Sequence, residues 1–237
     1  MEAVPRMPML AFELKACTEP VEFTPELKSY ISKHYHENPE SYNKECGELE
    51  QLRQTAVRVS RDFVGCSTLK KYFAQLQFLQ SRFPLSSGSE LAIPFTWEDV
   101  YSGRPITVAD IRFEQASILY NIGALHSILG ALDNRSTRDG MKVSCTHFQC
   151  AAWAFQHLKE YFPTSQSPDT NPDLLSFQVN LMLAQAQECI LEKSMTDNRK
   201  SSITAKVAAQ IQEYYRQAVK NLDASNPRAI VGSRKCK

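Results

Sequence analysis

The chain has 237 residues, 43% of them hydrophobic, which is enough to bury one substantial core or two modest ones. Its 27 lysines and arginines nearly balance its 26 aspartates and glutamates. This balance argues against the strong uniform field of a general nucleic-acid-binding protein, although a local basic patch is compatible with it. Seven cysteines without a CxxC pair are typical of reduced thiols. Because the N-terminus lacks the apolar core of a signal peptide and no stretch reaches about 18 consecutive apolar residues, we expect a cytoplasmic or nuclear protein whose membrane contact is at most peripheral.

Two apolar stretches of the N-terminal half predict a small β-sheet. Residues 7–15 alternate loosely between apolar and polar before a turn-like segment. Residues 92–100 carry Pro94, which suits an edge strand or an extended loop because proline cannot donate to a ladder. We expect the two stretches to pair as a short N-terminal sheet.

Three helices are predicted between these stretches. The first covers residues 25–35, with Thr24 as its N-cap and a proline at the favoured first position. The second covers about 42–57 and the third 66–83, each with apolar residues recurring at helical spacing. Pro84 and the Ser-Ser-Gly-Ser turn end the third helix without marking a domain boundary.

The C-terminal half is more uniformly helical. A helix beginning at about Asp110 is apolar around nearly its whole circumference, as expected of a central, buried helix. Three further helices are predicted at 141–161, 174–195 and 197–222, the last two as an antiparallel pair. Long helices joined by short loops are typical of stacked helical hairpins. The predicted fold class is therefore mainly α, a tetratricopeptide-like helical array with a small N-terminal β-sheet.

The final residues differ in character from the predicted helices. Residues 223–237 contain Pro227 and Gly232, lack helical periodicity and end in basic residues. We expect an unstructured tail there and a folded domain over residues 1–222. A helical array that ended at this point would leave the outer apolar side of its last pair uncovered. We therefore expect a fragment of a longer domain.

Few residues are candidates for chemistry. His34 and His36 are two apart, which points them in different directions on a helix, and Cys145, His147 and Cys150 lack a fourth ligand at suitable spacing. We therefore expect no metal and no cofactor.

Cys66 is the nearest approach to a catalytic nucleophile. It follows Gly65 at a predicted helix start, where the helix dipole favours a thiolate. The surrounding FVGCSTLKK supplies no arginine to hold a phosphate, and the sequence contains neither a GxSxG motif nor a phosphate-binding glycine loop. We expect no catalytic residue, and thiol chemistry at Cys66 is the weakest alternative.

The last predicted helix carries a candidate partner-binding patch. Ile203 and Val207 are one turn apart, whereas Ala208, Ile211 and Tyr215 are positioned to form the inward face. We therefore expect Ile203 and Val207 to be exposed, as a small groove wall for the apolar face of a partner helix. Isolated exposed apolar residues are common, so this pattern alone leaves both interpretations open.

Four stretches of the chain resemble the Bro1 domain family. They are ENPESYNKECGELEQLRQTAVRV, FEQASILYNIGALHSILGALDNR, GMKVSCTHFQCAAWAFQHLKE and VNLMLAQAQECILEKSMTDNRKSSITAKVAAQIQEYY. The resemblance covers residues 1 to about 222 and implies a curved domain with a small N-terminal sheet and a tetratricopeptide-like core. A Bro1 domain normally continues well beyond this length, so the resemblance also indicates a partial domain.

The resemblance implies binding without chemistry. Bro1 domains bind the C-terminal amphipathic helix of the charged multivesicular body protein 4 subunits of ESCRT-III, and this recruits their owner to endosomes during sorting into multivesicular bodies. Matching the family's groove to this chain gives Ile190, Ile203 and Val207 as apolar contacts and Lys142 as the polar contact. Val207 is smaller than the apolar residue that relatives carry in this groove position. The lost methylene would weaken binding by about 1 kcal/mol or less.

A different class of function remains open. Lys70, Lys71, Arg199 and Lys200 are candidates for contact with anionic lipid, which would make the chain a peripheral membrane-surface binding domain. The near-zero net charge argues against strong binding of this kind. An adaptor that binds a partner helix, with neither nucleic acid nor a small-molecule substrate, is the leading hypothesis.

Overall fold

The computed structural model describes residues 8–17, 19–163 and 167–225. The described residues form seven α-helices and one two-stranded sheet, which confirms the predicted mainly α fold class. The helices are α1 (Thr24–Tyr30), α2 (Asn43–Val57), α3 (Phe63–Arg82), α4 (Ile111–Leu132), α5 (Arg138–Tyr161), α6 (Pro172–Thr196) and α7 (Ser201–Ala224). The strands are β1 (Phe95–Glu98) and β2 (Pro105–Val108).

The chain divides into two compact units. The N-terminal unit comprises residues 15–121 and contains α1, α2, α3 and the sheet. The C-terminal unit comprises the described residues before 15 and from 122 onward, and contains α5, α6 and α7. Residues of α4 contribute to both units. None of the helices in the described ranges is both long enough and apolar enough to cross a membrane.

A buried carboxylate organises the N-terminal unit. Glu114 on α4 is fully buried and accepts hydrogen bonds from Arg53 Nε (2.9 Å), the Tyr72 hydroxyl (2.9 Å) and Trp97 Nε1 (2.6 Å). These donors come from α2, α3 and β1. Burial alone lowers the pKa of Arg53, but the Glu114 carboxylate and its neighbours outweigh this effect and raise that pKa. A buried charge needs such partners, so this residue set ties three elements to α4.

The sheet is an antiparallel hairpin in which Phe95 pairs with Val108. Gly103 lies in its turn at a φ of 67°, a conformation that favours glycine. Phe95 and Trp97 are fully buried and anchor the hairpin to the core of the N-terminal unit. The strand predicted within 92–100 is therefore confirmed in its central part, and its partner is the strand that follows it.

The strand predicted at 7–15 is wrong, because the described part of that segment contains no strand. Its backbone groups pair with side-chain amides instead. In the C-terminal unit, Gln185 accepts from the Leu10 N–H at 2.7 Å and donates to the Leu10 carbonyl at 2.9 Å. In the N-terminal unit, Asn121 bonds both backbone groups of Lys15, at 2.7 and 3.1 Å. Distant amides thus satisfy an extended backbone that local alternation cannot distinguish from a strand.

The first helix also begins differently from the prediction. α1 includes Thr24 as its first residue, so Thr24 is not the N-cap. The carboxylate of Glu50 on α2 accepts from the N–H of Phe23 (3.0 Å), the N–H of Thr24 (2.9 Å) and the hydroxyl of Thr24 (2.7 Å). The unpaired donors of the helix start are therefore satisfied from another helix.

Capping and backbone conformation set the starts of two later helices. The Thr137 hydroxyl accepts from the Gly140 N–H at 3.0 Å, so α5 begins at Arg138 and not at the predicted residue 141. Asn198 has a left-handed φ of 49°, so α7 begins only at Ser201, later than the predicted residue 197.

Two glycines allow α4 and α5 to approach closely within the C-terminal unit. A Cβ atom on Gly123 would lie 2.9 Å from the ring of Phe155, and one on Gly130 would lie 2.9 Å from the ring of Phe148. Both rings are fully buried, and Phe155 also packs edge-on against Phe12 with ring centroids 5.4 Å apart. This contact fixes the position of α5, on which α6 packs.

The end of the described chain leaves one prediction open. α7 ends at Ala224, slightly past the predicted domain limit at residue 222. Residues 226–237, most of the predicted unstructured tail at 223–237, lie outside the described residues. The division into a domain at 1–222 and a tail therefore stays a prediction.

Replacing Glu114 by alanine is expected to cost about 3–5 kcal/mol of unfolding free energy, because it leaves the buried guanidinium of Arg53 without its carboxylate. Trp97→Phe removes one neutral donor from the same carboxylate and is expected to cost less, about 1–3 kcal/mol. Urea denaturation followed by circular dichroism measures both changes. An alanine variant as stable as the wild type would contradict the organising role of Glu114.

Candidate partner-binding surface

The four predicted contact residues lie on three successive helices of the C-terminal unit. Lys142 is near the start of α5, Ile190 is in the last turns of α6, and Ile203 and Val207 are in the first two turns of α7. Because consecutive helices run antiparallel, the start of α5, the end of α6 and the start of α7 lie at one edge. The structure therefore brings the four residues to the same end of the helical array.

Side-chain contacts establish the antiparallel order of α6 and α7. The Tyr215 hydroxyl donates to Glu188 at 2.8 Å, and Asn180, earlier on α6, donates to Asn221, later on α7, at 3.3 Å. Residue numbers therefore rise along one helix as they fall along the other. On this register the first turns of α7 pack beside the last turns of α6.

The three predicted apolar contact residues are all partly exposed. Ile203 is 45% exposed, whereas Ile190 and Val207 are half-buried. Half-buried side chains are held in place by their own helix contacts and still present part of their area to a ligand. A surface of this kind suits the apolar face of a helix better than a small molecule, which requires an enclosed pocket.

The orientation of α7 differs slightly from the prediction. Ile211 is buried and Tyr215 half-buried, as expected of the inward face, but Ala208 is exposed. Val207 is only half-buried, so it is less exposed than predicted. The stripe that faces α6 therefore includes Val207 and excludes Ala208, a rotation that periodicity could not resolve because small residues occur on both sides of the stripe.

Asp197 ties α6 and the turn that follows it to α5 at this edge. It follows α6 directly and its side chain is only 11% exposed. Its carboxylate binds Lys193 at 2.5 Å and Arg138 of α5 at 2.9 Å, and Arg199 lies 3.9 Å away. The hydrogen bond from Lys193, followed by the charges of the other two, holds the pKa of Asp197 below its usual range. The turn before α7 is therefore fixed to the start of α5.

Basic side chains outnumber acidic ones at this edge of the C-terminal unit. Its carboxylates include the mostly buried Asp197 and the exposed Asp139, which binds Lys142 at 3.2 Å. The basic residues, which we call the basic cluster, are Arg138, Lys142, Lys193, Arg199, Lys200 and Lys206. A surplus of positive charge beside exposed apolar area fits an acidic, amphipathic partner.

Partly and fully buried polar contacts link α6 to its neighbours near this edge. Arg135, before α5, binds Glu192 of α6 at 2.6 Å with both side chains almost fully buried. One turn earlier on α6, Glu188 accepts the hydrogen bond from Tyr215. Burial raises the pKa of Glu188, and the Tyr215 hydrogen bond and the charge of Arg135 oppose this rise only in part. The first contact holds α6 to the segment before α5, and the second helps to set the register of α6 and α7.

Two exposed apolar residues near the edge were not predicted. Val143 on α5 and Met195 at the end of α6 are 37% and 39% exposed. Val143 follows Lys142 directly, off the apolar face of α5, which is the signal that could have identified it. Met195 lies in the last turn of α6, where a methionine adapts easily to a partner surface.

Cys66 and His147, which were considered for thiol and metal chemistry, are both buried. Cys66 is buried on α3, whose start is capped by Asp62 through a 2.8 Å hydrogen bond from the Gly65 N–H. His147 forms a buried Nδ1 to Nδ1 hydrogen bond of 2.8 Å with His126. Within the described ranges, no group of three or more His, Cys, Asp or Glu residues is arranged to hold a metal ion.

The residues proposed for lipid contact fall into two places. Lys70 and Lys71 are exposed on α3 of the N-terminal unit, and Lys71 lines a cleft of about 780 Å³ between α2 and α3. Arg199 and Lys200 precede α7 in the C-terminal unit and belong to the basic cluster. None of the four predicted partner contacts lines that cleft.

The chain belongs to the Bro1 domain family, because the family model described as the BRO1-like domain matches residues 9–235. The Bro1 domain is a non-catalytic adaptor fold. The residues matched by the family model belong to both units of the chain.

Known relatives agree with this assignment. The chain is 54% identical to human tyrosine-protein phosphatase non-receptor type 23 over 232 residues, which cover 98% of this chain and 14% of that protein. It is 37% identical to the vacuolar protein-sorting protein bro1 of Aspergillus fumigatus over 216 residues, 91% of this chain and 22% of that protein. A solved structure titled ALIX BRO1 CHMP4C complex matches with a TM-score of 0.86 at 27% identity, covering 95% of this chain and 68% of that one.

Glu188→Gln is expected to raise stability at neutral pH. A raised pKa means that the folded state binds the proton of Glu188 more tightly than the unfolded state, so the ionised carboxylate destabilises the fold above that pKa. Glutamine removes this charge and can still accept the Tyr215 hydrogen bond. The gain should shrink as pH falls through the raised pKa towards the ordinary value of 4.5.

Urea unfolding at several pH values measures this effect, with Glu22→Gln as the exposed control. A Glu188→Gln variant that is less stable than the wild type at neutral pH would show that the carboxylate is stabilised by its partners and not strained by burial.

Proposed function

We propose that this chain is a non-catalytic adaptor module that binds the C-terminal helix of ESCRT-III charged multivesicular body protein 4 subunits in endosomal sorting to multivesicular bodies. Its place in the Bro1 domain family and its likeness to a Bro1 domain solved in complex with CHMP4C support this proposal. The observation that carries it is the gathering of Lys142, Ile190, Ile203 and Val207 at one edge of α5, α6 and α7.

The proposed apolar contact centres on Ile203. Its exposed area is larger than that of Ile190 or Val207, so it has the most to gain when a partner helix covers it. Fully burying an isoleucine contributes about 1.5–3 kcal/mol, and a side chain already half-buried contributes a fraction of that. The partner helix would place residues at i, i+3 and i+4 over this surface.

The basic cluster adds a chemical requirement on the partner. Lys142 and Arg138 on α5, together with Arg199 and Lys200 before α7, present positive charge beside the apolar residues. An amphipathic helix with acidic residues flanking its apolar stripe would match both parts of the surface. Such charges accelerate association and select against basic helices more than they add affinity.

The proposal assigns no reaction to the chain. The phosphatase relative matches over 14% of its length, so its whole activity does not transfer to this segment. Recruitment to endosomes would follow from binding the partner helix, in keeping with the vacuolar protein-sorting relative.

Ile203→Asp is expected to weaken binding of a charged multivesicular body protein 4 C-terminal helix peptide at least about tenfold, which corresponds to about 1.4 kcal/mol. A charge at this position must be desolvated against the apolar face of the peptide. Isothermal titration measures the affinity. Val219→Asp is the matched control, because Val219 is 59% exposed on the same helix, outside the proposed contact.

The two variants together make this test decisive. Both replace an exposed branched apolar residue of α7 by aspartate. The helix dipole favours this charge at Ile203 and disfavours it at Val219, so circular dichroism must show that each variant keeps its helicity. If Val219→Asp weakens binding as much as Ile203→Asp, or if the wild-type chain is folded and does not bind, the proposed surface is wrong.

A peripheral membrane-surface function is the second candidate, because Arg199 and Lys200 are exposed in the basic cluster. For the helix-binding function, raising salt from about 0.05 to about 0.5 M should slow peptide association and leave dissociation nearly unchanged. Stopped-flow fluorescence measures both rates. Sedimentation with vesicles containing phosphatidylserine tests the alternative: strong, salt-sensitive sedimentation together with absent peptide binding would favour the membrane function.

A further inference from the structure

The first turn of α7 begins with two serines that have no structural role in the described contacts. The sequence there is Arg199-Lys200-Ser201-Ser202-Ile203. Ser201 and Ser202 are both exposed, and neither hydroxyl takes part in a hydrogen bond within the described structure. Most other serines near helix starts or within helices bond a backbone carbonyl, such as Ser194, whose hydroxyl donates to Ile190 at 2.8 Å.

The residues around Ser202 match the substrate chemistry of basophilic serine kinases. Such kinases hold basic side chains two and three residues before the acceptor in an acidic pocket, and favour an apolar residue after it. Here Arg199 and Lys200 occupy the basic positions, and Ile203 occupies the apolar position. The Arg199 side chain is 60% exposed, and its distance of 3.9 Å from Asp197 leaves it free to engage a second carboxylate.

The backbone is extended only before the serines, which themselves lie in the first turn of α7. Asn198 is left-handed at a φ of 49°, and Lys200 is extended with a ψ of 134°. Lys200 occupies the N-cap position and provides no side-chain cap, so the first turn of α7 is weakly held. Only that turn must open to present Ser202.

We propose that Ser202 is a phosphorylation site for a basophilic serine kinase, and that its phosphorylation weakens binding of the acidic partner helix at this surface. In the reaction the Ser202 hydroxyl oxygen attacks the γ-phosphorus of ATP. The bond from that phosphorus to the oxygen bridging the β and γ positions breaks, and ADP leaves. The hydroxyl proton passes to the carboxylate base of the kinase.

The phosphate changes the charge of the partner-binding surface. It adds about −1.5 to −2 charges next to Ile203 and one turn from Lys206. Arg199, Lys200 and Lys206 then pair with the phosphate and no longer attract an acidic helix. The strongly hydrated phosphate also stands beside the apolar residue that a partner must cover. This inference about regulation rests on the proposed helix-binding function.

Phosphorylation is expected to leave the fold intact. A phosphate in the first turn of a helix lies near backbone N–H groups that lack intrahelical partners, which stabilises the helix start. Loss of peptide binding would therefore come from the surface and not from unfolding. Unchanged or slightly raised thermal stability of the phosphorylated chain distinguishes the two causes.

The test treats the 237-residue chain with the catalytic subunit of cyclic-AMP-dependent kinase and ATP, and maps the product by mass spectrometry. We expect phosphate on Ser202, retained in Ser201→Ala and abolished in Ser202→Ala. Isothermal titration with the helix peptide should then show at least about fivefold weaker binding for the phosphorylated wild type, as expected for a change of charge beside a partly exposed contact. The kinase-treated Ser202→Ala variant should bind like the untreated chain.

Each step has an outcome that overturns the inference. Phosphate that appears only on Ser201 or elsewhere, or none after prolonged treatment, removes Ser202 as the site. Phosphate on Ser202 with unchanged peptide affinity removes its regulatory effect. If the untreated, folded chain does not bind the peptide, the proposed function fails and the regulatory effect with it, while the mass spectrum still decides whether Ser202 is a kinase site.

Discussion

Antiparallel packing of α6 between α5 and α7 is the constraint on which the proposed surface depends. The Glu188–Tyr215 and Asn180–Asn221 hydrogen bonds set the register of α6 and α7. Residues far apart in sequence therefore meet at one edge of the array. A shift of one helical turn in this register would move Ile203 about 5.4 Å along α6. These hydrogen bonds thus position the residues of the proposed surface.

The charges at this edge are divided between mostly buried carboxylates with their basic partners and further basic side chains at the surface. The carboxylates of Glu192 and Asp197 are mostly buried and bind Arg135, Arg138 and Lys193. The remaining positive charge is left at the surface. A chain with 27 basic and 26 acidic side chains can therefore present a strongly basic edge. Its total charge excludes a global field, but it says nothing about how the charges are sorted between interior and surface.

Local sequence pattern predicts the helices well and their ends poorly, for identifiable reasons. Periodicity identifies α4 and α6 because their apolar residues recur over many turns. It fails at Thr24, because the cap comes from Glu50 on another helix. It fails for the predicted strand at 7–15 because Gln185 and Asn121 pair with that segment from distant positions. Contacts between residues far apart in sequence leave no local signal.

In the candidate site, too, some features follow from the local sequence pattern and others depend on contacts between distant residues. Ile203 is exposed as its spacing predicts, whereas the half-burial of Val207 and the exposure of Ala208 depend on the rotation of α7 against α6. Ile190 and Lys142 carry no distinctive local pattern and were assigned only through resemblance to the family. The basic cluster was missed as a unit, because its members come from α5, α6, the following turn and α7.

The small apolar area exposed by Ile203, Ile190 and Val207 limits the expected affinity and makes binding easy to regulate. Covering Ile203 and the exposed parts of Ile190 and Val207 supplies only a few kcal/mol of apolar contact, from which the cost of association must be subtracted. Binding is then expected in the micromolar range, where occupancy responds to changes of about 1 kcal/mol. A deep pocket would need a much larger perturbation to empty. A half-exposed isoleucine beside a basic cluster is therefore a surface at which one added phosphate suffices to change how much partner is bound.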